Sequence, residues 1–140
     1  IEVMNTEGLS KFLLRETGAE AIQHLNILDV KFDVLTSGPV PPNPAEMLAS
    51  MAMEQSIKAF VEHYDYVIID TPPLLAATDA QVLARIADAT LLVVDPKQSK
   101  RRQIVEAKKR LDNVGARLLG TVMNKLKLTE GNNYYYYYKY

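Results

Sequence analysis

The 140-residue chain has no cysteine, which excludes disulfides, thiolate-bound zinc and a thiol nucleophile. It has almost no net charge: the formal value is −1, so no global electrostatic bias argues for nucleic acid. No apolar run approaches the ~18 residues that a membrane span requires. What is present, 48% apolar and 24% charged residues, is the composition of one globular domain able to bury a core. The tyrosines are unevenly spread. Six of the eight are Tyr134, Tyr135, Tyr136, Tyr137, Tyr138 and Tyr140; the others are Tyr64 and Tyr66. A run of five tyrosines has neither helical nor strand periodicity and cannot place its rings on one buried face. It follows Gly131-Asn132-Asn133, a breaker cluster. One reading is a sticky tail or edge strand. The other is a cluster of phenols presented for modification, each phosphate adding about −1.5 to −2 charges.

Upstream, the pattern alternates between element types. Residues 5–14 read as a turn and short helix with Leu9, Phe12 and Leu13 inward. Residues 31–35 alternate, with Phe32 and Val34 on one side, and predict a short strand. Residues 38–44 (GPVPPNP) form a stiff loop, because proline fixes φ and removes N–H donors. One long helix is expected next: Asn43 as cap, Pro44 at the first position and Glu46 three residues after the cap. Met53, Ile57, Phe60, Val61 and Tyr64 supply its apolar stripe. Residues 66–70, 90–94 and 118–123 are short continuous apolar runs, the sign of strands buried on both faces in a parallel sheet. Helices are expected between them: residues 80–87 capped by Asp79, and residues 100–111 with Ile104, Val105 and Leu111 inward. Strand, helix, strand, helix, strand is the α/β signature.

Ligands of an open parallel sheet bind at the carboxyl ends of its strands. Asp70 ends the first apolar run and precedes Thr71-Pro72-Pro73. An acid in that position suits the Mg²⁺ of a bound nucleoside triphosphate, or simply begins a turn. Asn124 ends the third run; its amide suits a purine edge, or simply terminates a strand. Asp79 and Asp95 are weaker candidates, and His24 and His63 have no ligand-like spacing. Lys97, Lys100, Arg101, Arg102, Lys108, Lys109 and Arg110 make a basic stretch offset by Glu106. It is read either as a solvated helix face or as a surface for an acidic segment, phosphorylated tails or anionic lipid.

Residues 64–73 (YDYVIIDTPP) resemble the Walker B region of the bacterial tyrosine kinases (BY-kinases) that govern capsule and exopolysaccharide synthesis. Residues 37–48, residues 120–124 and the tyrosine cluster match that family in the right order, so the resemblance covers essentially the whole chain. It implies a mostly parallel, helix-flanked α/β sheet of the deviant P-loop type. It also implies an ATP-dependent tyrosine autokinase using Mg²⁺. Asp70 would serve the metal and the chemistry, with Asp79 a lesser metal candidate and Asn124 near the adenine. The phosphoacceptors would be Tyr134, Tyr135, Tyr136, Tyr137, Tyr138 and Tyr140. The implied partners are a homo-oligomer, a membrane-spanning modulator, a tyrosine phosphatase and polysaccharide-synthesis proteins as substrates. The implied location is cytoplasmic, at the inner face of the cell membrane.

The departure is that no G-x-x-x-x-G-K-[ST] loop occurs in the 140 residues. The expectation is therefore the C-terminal part of a kinase domain in residues 1–130 and a flexible tail in residues 131–140. A naturally shortened homologue is the alternative. Without neighbouring strands, residues 66–69 are expected to expose apolar surface. Two other function classes fit part of the pattern. One is an ATPase switch of the septum-positioning or partitioning type. The other is a non-catalytic substrate or binding piece.

Overall fold

The computed structural model describes residues 3–126; the tyrosine cluster lies outside them. The order is α1 (Leu9–Leu13), β1 (Ile22–Ile27), β2 (Val30–Leu35), α2 (Pro44–Leu48), α3 (Met51–His63), α4 (Asp79–Ile86), β3 (Thr90–Val94), α5 (Arg101–Asn113) and β4 (Leu118–Met123). β1 and β2 form an antiparallel hairpin, and β3 and β4 a parallel pair joined through α5. The α/β class therefore holds, with a small parallel sheet.

Several expectations need correction. Residues 66–70 are not assigned to a strand: Val67 and Ile69 are half-buried, while Tyr66 and Ile68 are 87% and 91% exposed. β3 and β4 are covered on one side only, leaving Leu91, Val93 and Leu119 exposed. Both results have one cause, since each sheet among the described residues has two strands and cannot be sandwiched. The third correction concerns the helix from Pro44, which breaks into α2 and α3 at Ala49-Ser50. Ser50 Oγ accepts from the Met53 N–H at 3.3 Å and starts a new helix. Asn43 does not cap through its side chain; its amide donates to Glu46 Oε2 at 3.0 Å. Nor does Asp79 cap α4. It occupies the first turn, where a carboxylate meets the positive end of the helix dipole.

The core joins Leu13, Met53 and Leu83, with Leu9, Met47, Leu48, Ile57, Ile69 and Ile86 packed around them. Ile69 thus anchors the apolar segment even without strand pairing. Val61 and Val105, expected inward, are more than half exposed; Ala107 and Leu111 take the buried face of α5. α1 is tied to the end of β2 by Leu9 N–H to Thr36 O (2.7 Å) and Ser10 N–H to Ser37 O (3.0 Å). That contact requires glycine: a Cβ on Gly8 would come within 2.4 Å of Gly38 N, and Gly38 has φ +73°.

The β1–β2 turn, Leu28-Asp29, has φ of +50° and +65°, the pattern of a two-residue hairpin turn. Leucine is poorly suited there, and its side chain is 93% exposed. Leu28→Asn should raise unfolding free energy by about 0.5–1 kcal/mol, read as a higher urea midpoint at constant slope.

Asp33, on β2, ties the hairpin to the end of α3. Its Oδ2 accepts from the Tyr64 hydroxyl and its Oδ1 pairs with His24 Nδ1, both at 2.6 Å. The Tyr64 hydroxyl first, then His24, hold the Asp33 carboxyl below its ordinary 3.8. The same bond lifts the Tyr64 hydroxyl above its ordinary 10.0. A lowered carboxyl stabilises above its ordinary value and loses that effect as pH falls through the lowered one. A raised phenol stabilises below its ordinary value and loses that effect as pH rises through the raised one. The window of full contribution therefore runs between 3.8 and 10.0. Comparing wild type with Tyr64→Phe by urea unfolding should give a clear gap at neutral pH that narrows by about pH 3. A gap of equal size at both pH values would contradict the assignment.

Candidate active site

Residues 66–70 line an open groove of about 1270 Å³. The groove is lined by Phe32, Val34 and Leu35 of β2, Val40 and Pro41 of the proline loop, Ile68, Ile69 and Asp70, and Asp79 and Leu83 of α4. The end of the apolar run and the first turn of α4 thus bring two sequence-expected acids, Asp70 and Asp79, to one groove. The turn at residues 71–78 makes this possible: the Ala76 N–H bonds Pro73 O at 2.8 Å, bringing the chain round into α4. Asp70 is exposed and Asp79 half-buried.

Asn124 is not part of that groove; it stands at the end of β4. Its N–H extends the ladder to Val94 O at 2.9 Å. Its side-chain Oδ1 accepts from the Lys125 N–H at 2.8 Å, which holds Lys125 at φ +58°. The strand-terminating role is therefore realised through the amide oxygen. Beside it, Asp95 Oδ1 accepts from the Lys97 N–H at 3.0 Å and Oδ2 pairs with Lys125 Nζ at 3.5 Å. Asp95 thereby links the ends of β3 and β4 and closes its own turn. The acceptor tyrosines lie outside the described residues.

The residues present fit part of a metal–nucleotide site. Asp70 and Asp79 are hard oxygen donors, and Mg²⁺ bound by a triphosphate keeps several waters and needs few protein ligands. No group of three or more His, Cys, Asp or Glu capable of holding a metal occurs among the described residues. The triphosphate itself has no cradle here. The 140 residues contain no phosphate loop, and Lys31 is the sole cation lining the groove among the described residues.

Sequence reasoning missed the His24–Asp33–Tyr64 cluster. His24 is satisfied by Asp33, and His63 Nδ1 lies 2.8 Å from Ala59 O, so neither stands alone. Recognising β1 would have exposed the first of these contacts, since His24 and Asp33 are direct cross-strand partners. Among the described residues no helix is long and apolar enough to cross a membrane.

No family model matches the chain. It is 37% identical over 138 residues to a putative tyrosine-protein kinase, CapB, of Staphylococcus aureus, covering 98% of this chain and 60% of that protein. It is 43% identical over 134 residues to the tyrosine-protein kinase YwqD of Bacillus subtilis, covering 95% and 56%. The solved kinase domain of the Escherichia coli tyrosine kinase ETK superposes with a TM-score of 0.84 at 36% identity, over 99% of this chain and 54% of that one. The chain therefore spans somewhat more than half the length of these relatives. The resemblance read from residues 64–73 holds across nearly the whole chain: it is homologous to the bacterial tyrosine kinases and folds as a part of their kinase domain.

Proposed function

We propose that this chain is the C-terminal part of the kinase domain of an ATP-dependent protein tyrosine autokinase that regulates capsule or exopolysaccharide synthesis. The observation that carries the reading is homology to tyrosine-protein kinases over 98% and 95% of the chain. The meeting of Asp70 and Asp79 in one groove supports it. The fold would be the deviant P-loop type, with the phosphate-loop strands packed along the open edge of residues 66–70. That edge is apolar and unpaired among the described residues, as such packing requires.

In this reading Asp70 holds Mg²⁺ directly or through water, and Asp79 helps from the first turn of α4. Asn124 presents its amide NH₂ toward the adenine, its oxygen being engaged by Lys125. Bound ATP and Mg²⁺ supply the phosphoryl group and neutralise its charge. Phosphoryl transfer depends chiefly on positioning and charge stabilisation, and a terminal tail suits delivery of a phenol to a neighbouring subunit's site. The acceptors are Tyr134, Tyr135, Tyr136, Tyr137, Tyr138 and Tyr140 in the tail, residues 131–140. Homo-oligomers, a membrane-spanning modulator at the inner face of the membrane, a phosphatase and polysaccharide-synthesis substrates complete the proposal.

Asp70→Asn in the full-length protein should lower autophosphorylation by about a hundredfold or more while leaving the thermal unfolding midpoint nearly unchanged, because the side chain is exposed. Activity close to wild type would remove Asp70 from the site. Replacing all six tail tyrosines by Phe should eliminate nearly all phosphotyrosine detected by mass spectrometry. Persistence of most of that signal would move the acceptors elsewhere. Absence of any phosphotyrosine in the wild type, with ATP hydrolysis retained, would favour an ATPase switch.

A further inference from the structure

We propose that Lys97, Lys100, Arg101 and Arg102 form a cationic lip that binds the phosphorylated tyrosine tail of a second copy of this chain. The lip would make an already phosphorylated tail a better substrate than an unmodified one. This rests on the kinase reading above and names the substrate class that its site prefers.

Placement is the first support. All four residues lie in the loop after β3 or at the start of α5, at the carboxyl end of the parallel pair. The loop is folded back by the Gln98 and Ser99 N–H groups, which both bond Asp95 O. Asp95 in turn pairs with Lys125, the neighbour of Asn124. The four cations therefore stand beside the strand ends where a nucleotide site opens.

Their lack of partners is the second. All four side chains are exposed, and none makes an ion pair among the described residues. The other half of α5 is arranged differently. There Lys108 pairs with Asp112 at 2.6 Å and Arg110 with Glu106 at 3.1 Å, one helical turn apart. So the basic stretch divides in two: in one half two of the three cations are paired, and the other half carries only free positive charge. The free half also opposes the α5 dipole, with no acidic residue in the first turn to compensate. These charges cost helix stability, so local folding does not account for them.

Complementarity is the third. The unmodified tail carries Glu130 and Lys139 around six tyrosines and is nearly neutral. Full phosphorylation would bring on the order of −9 to −12 charges to it. Four clustered cations discriminate strongly between those two forms, and arginine adds paired donors that match phosphate geometry.

The test uses the full-length protein and two labelled peptides of residues 129–140, one unmodified and one phosphorylated at Tyr136, measured by fluorescence anisotropy at low salt. The phosphopeptide should bind about tenfold or more tightly than the plain peptide, and 0.5 M salt should remove most of the difference. Lys97→Gln/Lys100→Gln/Arg101→Gln/Arg102→Gln should abolish that preference. An equal charge change at Lys58, Arg85, Lys108 and Lys109 should leave it in place. Equal binding of the two peptides, or a preference that survives the first variant, would overturn the proposal. So would binding of vesicles rich in phosphatidylserine with no preference for the phosphopeptide. The kinase reading is judged separately by phosphate transfer. A protein that transfers phosphate without the preference retains its activity and loses the lip. A protein that shows the preference without transfer keeps the lip and loses the activity.

Discussion

An apolar extended segment needs neighbours on both edges and both faces, and residues 66–70 lack them among the described residues. Much else depends on this one unmet requirement. Ile69 turns inward and joins the Leu13–Met53–Leu83 core, which fixes the segment at its middle. Ile68 faces away at 91% exposure. The groove alongside is wide and open, with Ile68, Ile69 and Asp70 along its lining. Asp70 sits at the end of the same segment, so the best candidate for the chemistry is carried by its least supported element. A carboxylate that must hold a metal needs a rigid base. In this chain alone the base is one half-buried isoleucine and the tie at Tyr64.

That tie gives the hairpin a purpose that its own sequence does not advertise. The β1–β2 ribbon is two strands with a mostly exposed outer half, which is marginal in isolation. Asp33 fastens it to Tyr64, which follows α3 directly and precedes the apolar run by one residue. Gly8 and Gly38 fasten the residues just after β2 to α1 through a backbone approach that no side chain could share. The hairpin is therefore held by polar contacts toward the end away from its turn, and the turn itself is exposed. One of those contacts borders the segment that carries Asp70.

How far the sequence disclosed all this follows from what each signal measures. The strands at Val30–Leu35, Thr90–Val94 and Leu118–Met123 and the helices around them were legible, because hydrophobic periodicity depends only on local geometry. β1 was not: its apolar residues, Ile22, Leu25 and Ile27, keep no regular period, and its turn uses Leu28 where hairpins favour asparagine or glycine. Burial on both faces was read from the apolar runs, and the described structure does not bear it out: Ile68, Leu91, Val93 and Leu119 are exposed. Each sheet among the described residues has only two strands, so a second covering face is lacking. Asp70 was legible at the end of its apolar run, whereas Asp79 was read first as a helix cap and became a metal candidate only through the family resemblance. The separate position of Asn124, and the engagement of its amide oxygen by Lys125, were not legible, because side-chain hydrogen bonding depends on a turn one residue later.

The charge pattern of α5 shows why counting residues was insufficient. Seven cations within residues 97–110 looked like one face in the sequence. Lys108 and Arg110 pair with Asp112 and Glu106, while the four cations of residues 97–102 make no ion pair among the described residues and lie at the strand ends. A lip of this kind must attract without trapping. Its cations are solvent-exposed on long side chains, so each contact with an anion is individually weak and salt-screened. A tail held by several such contacts can slide from one phosphate to the next while each bond breaks easily. Deeply buried guanidinium pairs would hold a phosphorylated tail too long for turnover. Exposure of the four residues is therefore the property that a repeatedly modified substrate requires.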